Sequence, residues 1–484
     1  MHDLIIRDAL IYDGLGGAPV RGDLAVDGDT IAAVGAVSGT ARETVDSSGL
    51  AVAPGFIDVH THDDFAAVLY RDMAFKTAGG VTTCVVGNCG MGAAPWAAAS
   101  QMARNMHPEP LPEWKGYRGY LARMESQPPA VNVAALIGHG TARLSVMGTD
   151  AREPTGAEMQ AMKDIVAEGV EAGAVGLSSG LIYDPGRFAR TQELVELASL
   201  MHGTGALYAT HMRDEGKGLL ESVSEAIAIG EQAGVPVQIS HHKASGRDAW
   251  GLVTQSLKLI ENAQARGLDV HADQYPYTAG STILSAMFRD GRFWFTAPEN
   301  IVIASARAKR EWEGHSVAAI ATQMGCDTTQ AVTRMLAEAP DATVVVHTMC
   351  EDDVRTVMRH PSTMIGSDGL PTLSGKPHPR LYGTFARVLG HYARDEGVMP
   401  LEQAVHRMTG FPAKKFGFAD RGVLRAGAKA DLVLFDPDTI IDCGTFEDPK
   451  RLPKGIVSVY VNGALTVHNG KSTDARAGRA LRRA

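Results

Sequence analysis

The sequence predicts an α/β fold: a (β/α)8 TIM-like barrel, a small β-sandwich domain built from both chain ends, and a lid insertion after the seventh barrel strand. Three observations carry this. Short apolar strand candidates alternate with helical stretches between residues 56 and 368. β-rich runs lie at both ends of the chain. One interval between strand candidates is far too long for a single strand–helix unit.

At the start, Leu4–Tyr12 is apolar and β-rich, and Leu24–Val34 carries an Asp27-Gly28 pair of the hairpin type. At the far end, Ala430–Phe435 and Val457–Val461 read as strands, followed by Asn462-Gly463. Residues 1–54 and 416–472 are therefore expected to form one domain, with the barrel spanning 55–415. Its eight strand candidates are Phe56–His62, Thr82–Gly87, Val131–Gly138, Val175–Ser179, Ala206–His211, Val237–His241, Val270–Tyr275 and Met364–Asp368. Helical patterns such as Gly156–Ala172 and Leu219–Ala233 lie between them. About 88 residues separate Tyr275 from Met364, where one unit needs roughly 30. An insertion over residues 281–341 fills the difference, with helices expected at Ile303–Glu313 and Thr328–Glu338. It leaves from the strand end that faces an active site, which predicts a lid. Residues 473–484, with Arg476, Arg479, Arg482 and Arg483, read as a solvated tail.

Composition narrows the function. Of 484 residues 45% are hydrophobic and 21% charged, enough for a large core. Lys+Arg 46 against Asp+Glu 55 gives −9, which argues against nucleic acid as a partner. No apolar run reaches the ~18 residues of a membrane span. The first residues lack a basic segment followed by an apolar one, so no signal peptide is expected. Five scattered cysteines make no disulfide framework, which predicts a reducing, cytoplasmic setting and a ligand or nucleophile role for any special cysteine. The expected partner is a small molecule; a monomer is compatible with the sequence, which leaves the oligomeric state open.

The chemistry sits at the strand ends. His60 and His62 close the first strand candidate, and residues two apart on a strand share a face. Cys89 follows the second strand, His211 closes the fifth, His241 the sixth and Asp368 the eighth, while His242 points the other way. In a barrel all these ends open on one face. Imidazoles, a thiolate and a carboxylate converging there predict a zinc site with room for one or two ions. His139, after the third strand, lies on the same face as a carbonyl-contacting or supporting residue. Asp58 and Asp63 read as supporting residues, and Cys84 as core.

These residues carry a resemblance. Ala-Pro-Gly-Phe-Ile-Asp-Val-His-Thr-His (53–62) and Gly-Ala-Lys-Ala-Asp-Leu-Val-Leu-Phe-Asp (427–436) resemble the amidohydrolase superfamily. Gly-Asn-Cys-Gly (87–90), Tyr-Ala-Thr-His-Met-Arg-Asp-Glu-Gly (208–216), Ile-Ser-His-His-Lys (239–243), Tyr-Pro-Tyr-Thr-Ala-Gly-Ser-Thr (275–282) and Gly-Ser-Asp-Gly-Leu-Pro (366–371) resemble the D-aminoacylases, the N-acyl-D-amino-acid deacylases. The resemblance implies zinc held tightly by Cys89, His211 and His241. It also implies a second, weaker position at His60, His62 and Asp368, with Cys89 bridging. Val-Gly-Leu-Ser-Ser-Gly (175–180) offers no bridging lysine on the fourth strand, which suits a cysteine bridge. Asp368 would move the proton. An N-acyl amino acid carries an α-carboxylate, so Arg380 and Lys243 are expected to hold it, with Tyr277 as a hydroxyl donor. Ile283–Phe288, at the start of the lid, favours hydrophobic D side chains, while Arg289 and Arg292 keep a D-glutamate or D-aspartate deacylase open. A cyclic amidohydrolase of the dihydroorotase or hydantoinase type is the other enzyme reading. A metal-free structural relative is disfavoured because each expected ligand is present.

Overall fold

The computed structural model describes residues 1–483 apart from residues 105, 108 and 290. Short runs of small and β-branched residues form the parallel strands β1 (Phe56–Asp58), β2 (Val81–Val86), β3 (Asn132–Gly138), β4 (Gly176–Gly180), β5 (Leu207–His211), β6 (Val237–Ile239), β7 (Val270–Gln274) and β8 (Thr363–Ile365). They pair in sequence order, and a parallel bridge between Thr61 and Gly369 closes the ring. Ile57, Val85, Leu136, Leu207 and Met364 fill the interior and pack with Phe416 and Phe418. The helices outside bury their apolar stripes on the barrel. Gly156–Glu171 starts with a capping box, in which Thr155 and Glu158 satisfy each other's backbone N–H groups. Leu219–Ala233 ends on Gly234 in the left-handed region.

Both chain ends build a second sheet of nine strands, joined where Ala51–Pro54 pairs antiparallel with Leu432–Phe435. Leu4, Ile6, Leu24, Val26, Ile31, Leu432 and Leu434 give it a core of its own.

Three expectations change. The insertion contains a three-stranded sheet of Ala279–Ile283, Ile301–Ser305 and Thr343–His347, so its ordered frame begins and ends outside 281–341. Ile303–Glu313 is not a helix: Ile301 and Ile303 are buried in a strand, and only Arg310–Trp312 turns as a 3-10 segment. Pairing with Thr343–His347 overrides the local pattern. Thr328–Glu338 is a helix, capped by Asp327. Finally, the tail is not a solvated extension. β3 pairs with β4 only from Leu136 onward, leaving its lower edge open. Ala480–Leu481 fills that edge, parallel to Val133 and Ala134, and the Val133 N–H donates to the Arg479 carbonyl at 2.9 Å. Arg482 donates to the Ala172 carbonyl at 3.2 Å and Arg483 to the Phe416 carbonyl at 3.2 Å.

Candidate metal centre

The loops leaving β2, β6 and β8 turn sharply. Cys89, His241 and Asp368 have φ of 54°, 36° and 50°, in the left-handed region that L side chains avoid. Each such residue costs on the order of 1–3 kcal/mol, and such strain collects at functional sites. Gly87 and Gly90 make the Cys89 turn possible. A Cβ on Gly87 would lie 2.4 Å from the Leu136 carbonyl oxygen, and one on Gly90 would lie 2.9 Å from the Gly180 nitrogen.

The turns aim buried side chains at one point. Cys89 Sγ lies 3.4 Å from His60 Nε2, 3.7 Å from His211 Nδ1 and 3.6 Å from His241 Nε2. Asp368 Oδ1 lies 3.4 Å from His60 Nε2 and 3.2 Å from His62 Nε2. Two ligands of one tetrahedral zinc, at bond lengths of about 2.0–2.3 Å, stand about 3.5 Å apart. The donor atoms of His60, Cys89 and His241, and those of His60, His62 and Asp368, each lie within 4.8 Å of one another. The donor set and spacing therefore fit a metal; His60 belongs to both groups, and Cys89 joins it in the first. Burial pushes the Cys89 thiol up, but the charge of His60 and hydrogen bonds from His211, His241 and His60 bring it well below the usual range. Burial likewise opposes ionisation of Asp368, and Arg380, His60 and His241 hold its carboxyl well below the usual carboxylate range.

A second layer orients the imidazoles. Glu215 Oε1 lies 2.9 Å from His241 Nδ1 and 2.6 Å from Lys243 Nζ, and Oε2 lies 3.7 Å from His211 Nε2. Asp273 Oδ1 accepts from the His241 backbone N–H at 2.7 Å and faces His60 Nδ1 at 3.2 Å. Lys76 donates to Asp58 and to Ser367 Oγ, both at 2.7 Å, and the Ser367 N–H donates to Asp58 at 2.8 Å. This braces the residue before Asp368 against β1. Asp63 joins the same group, 3.3 Å from Lys76, and Cys84 is buried in β2.

His60, His62, Cys89, His211, His241 and Asp368 thus come together. Arg380 joins them: its Nη2 lies 2.9 Å from Asp368 Oδ2, its guanidinium stacks 4.3 Å above Tyr275, and its Nε and Nη1 have no partner. Lys243 lines the cavity, with its Nζ held by Glu215. Two predicted residues stand apart. The Tyr277 hydroxyl donates to Asp442 at 3.3 Å, and the tyrosine lining the cavity is Tyr275. His139 is held by Glu193 at 2.8 Å, and Glu193 also binds Arg143. An acid at each position, Asp442 and Glu193, claims the side chain that was expected to face the substrate or support the site. His242 points away, 2.8 Å from Ser256 Oγ. Sequence reasoning missed Glu215, Asp273 and Tyr275. Glu215 follows His211 by four residues, and Asp273 lies within the seventh strand candidate; both were signals that could have been read.

The cavity at this cluster is narrow, about 50 Å³. Tyr275, Lys243 and Asp368 line it from the barrel, and Met287 and Val346 from the insertion.

A closed parallel barrel with histidines, a cysteine and an aspartate at its strand ends defines a class of metal-dependent hydrolases, and the chain belongs to the amidohydrolase family, whose model matches residues 43–467. Within it, the chain is 44% identical to a D-aminoacylase of Alcaligenes xylosoxydans xylosoxydans, covering 99% of this chain and 98% of that one. It is 40% identical to an N-acyl-D-glutamate deacylase of the same organism, covering 99% and 96%. Among solved structures, a D-aminoacylase superposes with a TM-score of 0.92 at 41% identity over 100% of both chains. An N-acyl-D-glutamate deacylase of Bordetella bronchiseptica, complexed with zinc and a phosphonate mimic of the tetrahedral intermediate, superposes at 0.91 with 42% identity over 99% of both chains. A D-hydantoinase shares the fold alone, at 17% identity and a TM-score of 0.60. No helix among the described residues is long and apolar enough to cross a membrane.

Proposed function

We propose that the protein hydrolyses N-acyl-D-amino acids to a carboxylate and a free D-amino acid, with zinc as its metal. The observation that carries this is the cysteine-centred cluster joined to Arg380 through Asp368. Cys89, His211 and His241 would hold the tight ion, and His60, His62 and Asp368 a weaker one, with Cys89 common to both. When bound, zinc supplies Lewis-acid activation of the amide carbonyl and of water. Asp368, ionised and held by Arg380, takes a proton from the attacking water. As the water oxygen bonds to the carbonyl carbon and the C–N bond breaks, Asp368 passes that proton to the leaving amine. Glu215 and Asp273 keep the imidazoles in place. The unpartnered nitrogens of Arg380 suit a substrate carboxylate, with Lys243 and Tyr275 beside it.

Ile182, Met287 and Val346 line the cavity, and its described lining contains no arginine from the insertion. That favours hydrophobic D side chains over D-glutamate or D-aspartate. The free thiols of the five cysteines suit a cytoplasmic setting.

The test is kcat/KM of the zinc-loaded enzyme for N-acetyl-D- and N-acetyl-L-methionine. The D form is expected to be the substrate, and Arg380→Ala is expected to raise KM and lower the D/L ratio together. Preference for the L form by the unmodified enzyme overturns the reading.

A further inference from the structure

The narrow metal cavity does not end at its own walls. Ser245, Phe295 and Thr348 line both it and a larger open cleft of about 990 Å³. We infer that this cleft is the binding site for the substrate's acyl group, and that the preferred acyl groups are apolar and longer than acetyl. The inference rests on the deacylase reading above.

Direction comes first. Asp368 hands the proton to the leaving nitrogen, so that nitrogen lies toward the end of β8. Arg380, 2.9 Å from Asp368, holds the carboxylate on the same side. The amino-acid half of the substrate is therefore placed toward β8. The remaining substituent on the scissile carbon points away from it, toward the loops after β5 and β6. The cleft opens there, past Gly216, Ser245 and Gly246.

The walls set the chemistry. Trp250, Phe293, Trp294 and Met349 face the cleft. Trp250 is 40% exposed, unusual for so large an apolar side chain, yet it is fixed in place because its indole N–H donates to the Thr348 carbonyl at 2.8 Å. Several charges around the cleft are already engaged. Lys217 pairs with Asp248 at 2.7 Å, and Arg247 lies 5.8 Å over the Trp250 ring. What remains open to a ligand includes flat aromatic surface, which suits an alkyl or aryl group.

Phe295 stands at the passage. Its φ is 63°, in the left-handed region. A Cβ on Gly216 would lie 2.8 Å from its ring, and one on Gly246 would lie 2.6 Å from its carbonyl oxygen. Two loops of the barrel thus carry glycine where the insertion presses this one residue into the wall shared by cavity and cleft.

The experiment is a chain-length series on the full-length, zinc-loaded enzyme: kcat/KM for N-acetyl-, N-butanoyl-, N-hexanoyl- and N-phenylacetyl-D-methionine. The expected result is a rise of about tenfold or more from acetyl to hexanoyl, since each buried methylene of a substrate contributes severalfold. Trp250→Ala, which removes the wall, and Thr296→Trp, which fills the cleft, are each expected to flatten the series toward a ratio of one. Hydrolysis of N-acetyl-D-methionine with rates that fall along the series overturns the inference alone. So does a rising series that both variants leave intact, or a Trp250→Ala effect that follows D side-chain length instead of acyl length. Failure to hydrolyse any D substrate overturns the deacylase reading and the inference with it.

Discussion

The two mouths of the barrel both carry buried charge, and they treat it in opposite ways. Where the strands begin, Asp431 accepts from Asn132 Nδ2 at 3.0 Å, from the Asn462 N–H at 2.7 Å and from the Arg421 guanidinium. The Asn132 side-chain Oδ1 in turn accepts from Asn462 Nδ2 at 2.8 Å and from the Arg479 backbone N–H at 3.0 Å. Where the strands end, His62 Nδ1, His211 Nε2, Asp64 Oδ1 and two nitrogens of Arg380 are buried without a hydrogen-bond partner. Cys89, His241 and Asp368 add strained backbone. Buried polar groups are normally paired. The first network, in which every charged group is paired and only the Asn462 side-chain oxygen lacks a partner, therefore reads as architecture, and the second as a surface shaped for groups that arrive from outside.

The largest expected effect at the second mouth comes from Cys89→Ala. It removes the sulfur that His60, His211 and His241 all face, so turnover is expected to fall below detection and zinc content to collapse in metal analysis of the purified protein. Full zinc with normal turnover would show that Cys89 only packs.

The same substitution, Asp to Asn, sharpens the contrast when made at each mouth. Asp368→Asn is expected to lower kcat by about 10²–10⁴, the usual share of a proton-transfer group. The tight zinc stays, although Arg380 loses its buried counter-charge and the thermal midpoint falls as well. Near-native turnover at neutral pH would remove Asp368 from proton transfer. Asp431→Asn acts the other way. It takes the buried carboxylate from Arg421, which keeps only the half-exposed Asp420 at 3.2 Å, and so costs about 1.5–3 kcal/mol of stability, the usual share of a hydrogen bond to a charged group. The midpoint in urea should drop, while the turnover of the remaining folded, zinc-loaded enzyme stays near native. If Asp431→Asn instead lowers turnover with no loss of stability, the division between the mouths is wrong.

Much of this was legible in the chain. The strand candidates fell on the barrel strands because parallel strands are buried on both faces and read as short apolar runs. The metal-centre residues were legible because a parallel barrel brings the C-terminal end of each strand to one rim. Position along the sequence there translates directly into position in space. The insertion was visible as excess length, but its internal strand was not, because Ile301–Ser305 is a strand only through pairing with Thr343–His347.

The sequence by itself therefore determined the barrel, the sheet built from two chain ends, and the histidines, cysteine and aspartate that meet at one rim, since periodicity and residue chemistry are local properties. Only the tertiary structure decided which neighbours those residues keep. Tyr275 rather than Tyr277 lines the cavity because Asp442 takes the Tyr277 hydroxyl. His139 is claimed by Glu193, and the basic tail becomes a barrel-edge strand because β4 leaves the lower part of β3 uncovered. Tyr277 and Asp442 are 165 residues apart, and His139 and Glu193 are 54 apart. A hydrogen bond or an open strand edge between such distant segments leaves no trace in the local pattern of either one, so it exists only once the chain has folded.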